Sequence, residues 1–279
     1  MPVVKKSTVK TSARPAKKNS VMNRILSVQD HKPGGMKVNV YGRSGTGKTR
    51  FACTFPKPLL LVGFEDGTRS VSTVKGVFYV RVESSEELTE VTREVASTEY
   101  KTIVLDTATG LQDTILKEIL GVKELPTQRS WGMATREQWG QCAMQTKERL
   151  REVLNLSDDD GRNVVTIAQE REFDETGAHP DLMVPFVCSA LSPSVVGWLN
   201  PTCDFIVQTF IRERTEEVSR KVANKTIVQN EKTGQAEFCL RTAPDPVYTV
   251  KFRQPPGAQL PPVVVDPTYK KLEKYLQGG

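Results

Sequence analysis

Short apolar runs alternate with amphipathic segments along the first two thirds of the chain. Runs of this length bounded by turn residues are typical of strands buried in a parallel sheet. They occupy residues 36–40, 58–62, 77–82, 102–105 and 164–168. Segments with helical spacing lie between them, at 48–54, 85–96, 108–120 and 134–155. The alternation predicts an α/β fold with a mostly parallel central sheet flanked by helices.

The pattern changes after Gln169, where the chain is irregular to about residue 189. Ser192-Pro193 is a typical helix start, and the predicted helix runs to Leu199. A strand is predicted at 204–211. The runs 238–242 and 248–252 flank a Pro-Asp-Pro turn, which predicts a C-terminal antiparallel hairpin, and Asp266-Pro267 opens a short final helix.

The first apolar run is followed by a phosphate-binding loop signature, G-x-x-x-x-G-K-[ST]. Its glycines let backbone N–H groups curl around phosphate oxygens, where side chains would clash. The lysine reaches the β- and γ-phosphates, and the final hydroxyl binds Mg²⁺. The loop predicts ATP and Mg²⁺ as cofactors; the alternative is a flexible surface loop. The predicted binding residues are Gly42, Arg43, Ser44, Gly45, Thr46, Gly47, Lys48 and Thr49.

Three polar residues follow other apolar runs, and the carboxyl ends of parallel strands line the ligand edge of a sheet. Asp106 ends T-I-V-L-D and is predicted to hold Mg²⁺ together with Thr49. Thr107 follows it, so the acid that orients water must lie elsewhere, and Glu65 is the candidate, ahead of Asp66. Gln169 is predicted to sense the γ-phosphate. The alternatives are a turn acid at Glu65 and an ordinary strand-end amide at Gln169.

Charge is distributed unevenly. Residues 1–24 hold seven lysines and arginines and no acid, whereas the whole chain has a net charge of +6, which leaves the remainder at −1. We expect a disordered basic arm at 1–28 and one ATPase domain at 29–279. A basic arm attracts phosphate backbones, or it serves only as a solubilising tail.

Composition and the absence of long apolar runs indicate the cellular compartment. No run approaches the roughly 20 apolar residues that span a bilayer, and the N-terminus lacks the apolar block of a secretory signal. The five cysteines form no C-x-x-C pair, which is typical of reduced thiols. We therefore expect a cytoplasmic protein without a membrane partner.

The order of these motifs resembles the RecA-like P-loop ATPases. Within them, the chain is similar to phage-encoded nucleotide-binding proteins of the single-strand annealing or recombination type. The residues that carry the resemblance are V-N-V-Y-G-R-S-G-T-G-K-T, F-E-D-G, K-T-I-V-L-D-T and R-T-A-P-D-P-V-Y-T-V-K-F-R, within about 35–255. It implies a RecA-like core, a DNA-stimulated ATPase and, for a phage protein, the host cytoplasm.

The resemblance also implies partners and further site residues. Such proteins form rings or filaments with ATP between subunits, and they bind single-stranded DNA; a single-strand-binding protein is a candidate partner. Lys251 and Arg253 project from one strand face and would reach a neighbour's γ-phosphate, or they lie on a solvated face. The loop at 171–190 stands where the family holds DNA, but it carries four acids. Without a strand-invasion signature, annealing is favoured over strand exchange.

Three other functions fit the same motifs. A ring-forming helicase-type motor would assemble as a hexamer and unwind DNA. A phosphotransferase would need an arginine-rich lid, which residues 123–136 support poorly, with Arg129 and Arg136 alone. A nucleotide-switched interaction protein would turn over little ATP, and the sequence does not separate it from an annealing protein.

Overall fold

A computed structural model of the protein describes residues 25, 27, 34–125, 134–173, 187–222, 225–253, 257, 258 and 260–276. Nearly all of the predicted arm, 1–28, and much of the 171–190 loop lie outside these residues. Two compact units are distinguished, Met1–Pro33 and Gly34–Gly279. The second unit contains all of the helices and strands described below.

The second unit alternates strands and helices through most of its length. The strands are β1 (Lys37–Gly42), β2 (Leu59–Gly63), β3 (Val77–Arg81), β4 (Thr102–Asp106), β5 (Asn163–Glu172), β6 (Val187–Ser189), β7 (Phe205–Val222), β8 (Lys225–Arg241), β9 (Lys251–Phe252) and β10 (Val263–Val265). The helices are α1 (Lys48–Ala52), α2 (Ser85–Val95), α3 (Ala108–Leu120), α4 (Arg136–Asp160), α5 (Pro193–Thr202) and α6 (Tyr269–Leu276). A 3₁₀ turn spans Thr68–Val71.

The strands form one sheet in the order β10-β8-β7-β1-β5-β4-β2-β3, with β6 paired to β5 and β9 to β7. The six neighbours from β7 to β3 run parallel. The C-terminal strands pair antiparallel: β8 and β9 with β7, and β10 with β8. The predicted α/β class, with a mostly parallel sheet, flanking helices and a C-terminal antiparallel pair, is confirmed.

Apolar clusters cover both faces of the sheet. Consecutive residues of β4 point to opposite faces: Ile103 and Leu105 belong to one cluster, and Val104 belongs to the other. Residues of α2, α3, α4 and α5 complete the first cluster, and residues of α1 and α6 complete the second. Burial on both faces explains why the strands are continuous apolar runs rather than alternating ones.

Local signals set several helix ends. The hydroxyl of Ser84 accepts a hydrogen bond from the N–H of Glu87 at the start of α2. Gly121 ends α3 in a left-handed conformation, as its position predicts. Helix α4 extends to Asp160 and Gly161 caps it, so the predicted helix end at residue 155 is wrong by about one and a half turns.

The predicted pairing of 238–242 with 248–252 is also wrong. Strand β8 pairs with β7 and β10, and β9 pairs with the start of β7. The antiparallel pair is therefore the long ribbon β7–β8, of 18 and 17 residues. In its outer part, the side chains that the structure describes, those of 212–217 and 231–237, join neither apolar cluster. Residues 212–217 are exposed on both faces of the ribbon, so no apolar alternation marks them as a strand in the sequence.

Among the residues that the structure describes, no helix is long and apolar enough to cross a membrane.

Candidate nucleotide-binding site

The phosphate-binding loop connects β1 to α1 at the carboxyl edge of the parallel strands. Gly47 precedes α1 with φ 88°, a left-handed conformation that favours glycine. A Cβ on Gly42 would lie 2.4 Å from the carbonyl oxygen of Thr209 on β7, so the close approach of these strands requires glycine there. The fold thus supplies a physical reason for two of the glycines in the motif.

Lys48 is buried beneath the loop. Its Nζ donates to the carbonyl oxygens of Gly42 at 2.8 Å and Arg43 at 2.7 Å, and to Oε1 of Gln169 at 3.2 Å. Burial lowers the pKa of Lys48, while the carboxylates of Asp106 and Glu170 act in the opposite direction. An ammonium held this way is already desolvated and oriented toward the space that the loop encloses.

Thr49 and Asp106 are joined by a hydrogen bond across the site. Thr49 Oγ1 donates to Asp106 Oδ2 at 2.8 Å. Burial raises the pKa of the Asp106 carboxyl, against the opposing effects of Thr49 and Lys48. Asp106 ends β4, which is separated from β1 by β5. The pair presents a hydroxyl and a carboxylate, which are oxygen ligands of the kind that Mg²⁺ prefers.

Glu65 and Gln169 line the same cavity as the loop. This cavity has a volume of about 460 Å³, and its wall also includes Lys48, Thr49 and Asp106. Gln169 lies opposite Gly42 in the parallel register of β1 and β5. Glu65 follows β2, and its backbone carbonyl accepts bonds from Gly67 N–H and from the Tyr79 hydroxyl. The structure therefore brings eight of the sequence-predicted site residues to one cavity, since Ser44, Gly45 and Gly47 line it as well.

Lys251 and Arg253 lie elsewhere. Phe252 pairs with Phe205 at the start of β7, which in turn pairs with Val38 near the start of β1, so these cations stand at the opposite edge of the sheet. Lys251 Nζ donates to three carbonyl oxygens at the end of α5, those of Asn200, Pro201 and Cys203. Their proposed action on a neighbouring subunit's nucleotide stays a prediction.

Arg253 has its own partners at that edge. Its Nη1 lies 3.0 Å from Asp204 Oδ1, and its Nη2 donates to the carbonyl oxygen of Pro201. Within one chain, both cations therefore hold the junction between α5 and β7.

A series of hydrogen-bonded polar side chains lies beside the loop, and the sequence analysis did not predict it. Glu170 Oε1 accepts from Arg43 at 3.2 Å, and its Oε2 accepts from Gln208 at 2.8 Å. Gln208 in turn accepts from Arg241, whose guanidinium stacks on Tyr248. The sequence could have indicated Glu170, which is adjacent to Gln169 at a strand end, but the contacts with β7 and β8 depend on the tertiary fold.

The donor set fits a magnesium nucleotide. The loop's glycines leave room for phosphates, Lys48 supplies a cation, and Thr49 with Asp106 supplies oxygen ligands. In the described part of the chain there is no cluster of three histidine, cysteine or acidic residues that could hold a metal ion.

A glycine-rich loop, a buried lysine and a hydroxyl–carboxylate pair at the edge of a parallel sheet define a P-loop nucleotide-binding protein. The family model described as an AAA domain matches residues 34–237, which is well over half of the chain. The chain therefore belongs to this family of P-loop ATPases, which supports nucleotide binding and ATPase activity. A comparison with curated proteins gave no match.

Proposed function

We propose that the protein binds Mg²⁺-ATP in the loop cavity and hydrolyses its γ-phosphate. The observation that carries this proposal is that two hydrogen-bonded pairs, Lys48–Gln169 and Thr49–Asp106, line the same cavity. Lys48 would bind the β- and γ-phosphates, and Thr49 with Asp106 would hold Mg²⁺. Glu65, at the open side of the same cavity, would orient the attacking water.

Gln169 connects this chemistry to the rest of β5. Its side-chain oxygen accepts from Lys48, and its backbone N–H donates to Thr109 Oγ1 at 3.1 Å. When Lys48 turns to a phosphate, the Gln169 amide loses that partner and can contact the phosphate itself. Strand β5 continues from Gln169 to Glu172, so it offers a direct route from the nucleotide to the following segment.

We also propose that single-stranded DNA is the polymer on which the ATPase acts, in annealing or recombination, and that subunits associate as a ring or filament. The resemblance and the seven cations of residues 1–24 support this. The far end of the β7–β8 ribbon adds Arg220, Lys221 and Lys225, and the sequence from 218 to 230 contains no acid. A single-strand-binding protein would be a partner in the same process.

The test is ATP turnover with and without single-stranded DNA, in the wild type, Lys48→Ala and Glu65→Gln. We expect turnover that DNA stimulates, loss of that turnover in Lys48→Ala, and retained ATP binding with slow hydrolysis in Glu65→Gln. Turnover indifferent to DNA would overturn the DNA proposal and favour a phosphotransferase. Binding with negligible turnover under both conditions would favour a nucleotide switch.

A further inference from the structure

A second, smaller cavity adjoins the phosphate cavity on the side of α1. Its volume is about 190 Å³, and it shares Gly47, Arg50 and Phe238 with the larger cavity. Its other walls are the inner turn of α1 and the segment Asp266–Thr268 between β10 and α6. A ligand whose phosphates occupy the loop would therefore continue into this space.

The C-terminal wall of this cavity is fixed to the rest of the domain. The N–H of Asp266 donates to the carbonyl oxygen of Phe238 at 2.8 Å. The N–H of Tyr269 donates to Thr54 Oγ1 at 2.8 Å, and the ring of Tyr269 packs 4.9 Å from that of Phe55. These contacts hold three separated chain segments around the cavity, so its shape is preformed.

Asp266 stands out among the lining residues. Its φ of 45° is the only positive value at a non-glycine residue in the part of the chain that the structure describes. Lys271 Nζ binds the backbone carbonyl oxygens of Val265 and Asp266, which helps to hold this conformation. A strained backbone held by its surroundings is frequently found at ligand sites.

The Asp266 carboxylate and the Arg50 guanidinium have no hydrogen-bond or ion-pair partner among the described residues, whereas the threonine hydroxyls of the cavity are engaged. Thr46 Oγ1 contacts Thr209 Oγ1 and the carbonyl oxygen of Arg43. Thr54 Oγ1 donates to the Phe51 carbonyl and accepts from Tyr269. The open acceptor of this cavity is thus the Asp266 carboxylate, because an arginine guanidinium only donates hydrogen bonds.

We propose that this cavity binds the nucleobase of the triphosphate, with the base stacked on Phe238 and its exocyclic amino group donating to Asp266. The assignment rests on the proposed function, because it places the phosphates in the loop. Phe238 is half-buried and close to the loop: a Cβ on Gly47 would lie 3.2 Å from its ring. The site thereby selects adenine over a purine that lacks the amino group.

Two ligands distinguish binding of the base from binding of the phosphates. Equilibrium binding of Mg²⁺-ATP and of Mg²⁺-tripolyphosphate is measured for the wild type, Phe238→Ala, Phe238→Leu and Asp266→Ala. We expect each variant to bind ATP about tenfold more weakly, since each one loses either the stacking ring or the carboxylate acceptor. Tripolyphosphate, which has no base, should bind as it does to the wild type.

Controls keep the result interpretable. Phe238→Leu retains an apolar side chain if Phe238→Ala disturbs packing, and unchanged tripolyphosphate binding reports an intact loop. Phe78→Ala removes an aromatic ring that is 51% exposed on the distant edge strand β3, and it should leave both affinities unchanged.

A third ligand, purine riboside triphosphate, tests the amino group directly, because it lacks only that group. The wild type should bind it about tenfold more weakly than ATP, and Asp266→Ala should bind the two equally. Equal losses of ATP and tripolyphosphate, or no loss of ATP, in the Phe238 and Asp266 variants would overturn the base site. A wild type that binds neither ATP nor tripolyphosphate would instead overturn the proposed function.

Discussion

Lys48 and Asp106 are charged side chains held in a mostly buried setting. Lys48 has a relative exposure of 7%, and the two groups influence each other's pKa. Each also has a polar partner of its own, Gln169 for Lys48 and Thr49 for Asp106. Burying charge costs free energy unless partners compensate. The site therefore stores an unfavourable arrangement that a phosphate and a metal ion would relieve.

Thr49 should determine the magnesium dependence of binding. Thr49→Val keeps the shape of the side chain but removes the hydroxyl that bonds Asp106. We expect the Mg²⁺-stimulated part of ATP affinity to fall by about tenfold, the order of one hydrogen bond to a charged group. Affinity measured in a chelator should stay unchanged, and Thr49→Ser should behave like the wild type. Equal losses with and without Mg²⁺ would contradict a metal role.

Asp106 should make stability depend on pH. Its pKa is raised by burial, so the folded state holds its proton to a higher pH than the unfolded state does. Stability from this group is therefore lost as pH rises from the unfolded value, about 3.9, through the raised folded value. Asp106→Asn should raise the melting temperature of the nucleotide-free protein at neutral pH, and the gain should vanish near pH 3. A gain that is independent of pH would contradict this origin.

At the scale of elements, glycine has opposite effects at two positions of α4. Gly140 lies within the helix and is exposed, whereas Gly161 ends it with φ 68°. A Cβ would meet nothing within 4 Å at either position, so only backbone conformation differs. The two residues form a matched pair.

Gly140→Ala should stabilise the protein by roughly 0.5–1 kcal/mol, because alanine loses less conformational freedom in a helix. Gly161→Ala should destabilise it by about 1–2 kcal/mol, the cost of a left-handed alanine. Denaturant unfolding measures both. Changes of the same sign would show that α4 does not end where the structure has it.

The elements also show what a sequence can predict. The loop 42–49 and the strand ending at Asp106 were predictable, because their chemistry depends on neighbouring residues in the chain. Phe238 and Asp266 were not, since they reach the loop only through contacts across about 200 residues. The stretch 212–217 of β7 was not predicted as a strand, because its side chains are exposed on both faces and have no apolar period.

At the scale of the whole molecule, charge is divided between two parts of the chain. Seven cations lie in residues 1–24, and the remainder is close to neutral. Removing 1–28 should leave Mg²⁺-ATP binding unchanged, because the loop and its partners all lie in the second unit. It should weaken single-stranded DNA binding and flatten its salt dependence by up to about 5 in the log–log slope. An unchanged slope would show that the arm makes no phosphate contacts.

The central claim is that Lys48 binds the phosphates of ATP in the loop between β1 and α1. Calorimetric titration with Mg²⁺-ATP tests it in the wild type, Lys48→Ala and Lys57→Ala. Lys57 is the control, because its Nζ binds the Lys75 carbonyl in an exposed position outside the cavity. The account predicts wild-type binding in Lys57→Ala and a loss of at least about tenfold in Lys48→Ala. Equal affinity in all three proteins would contradict it.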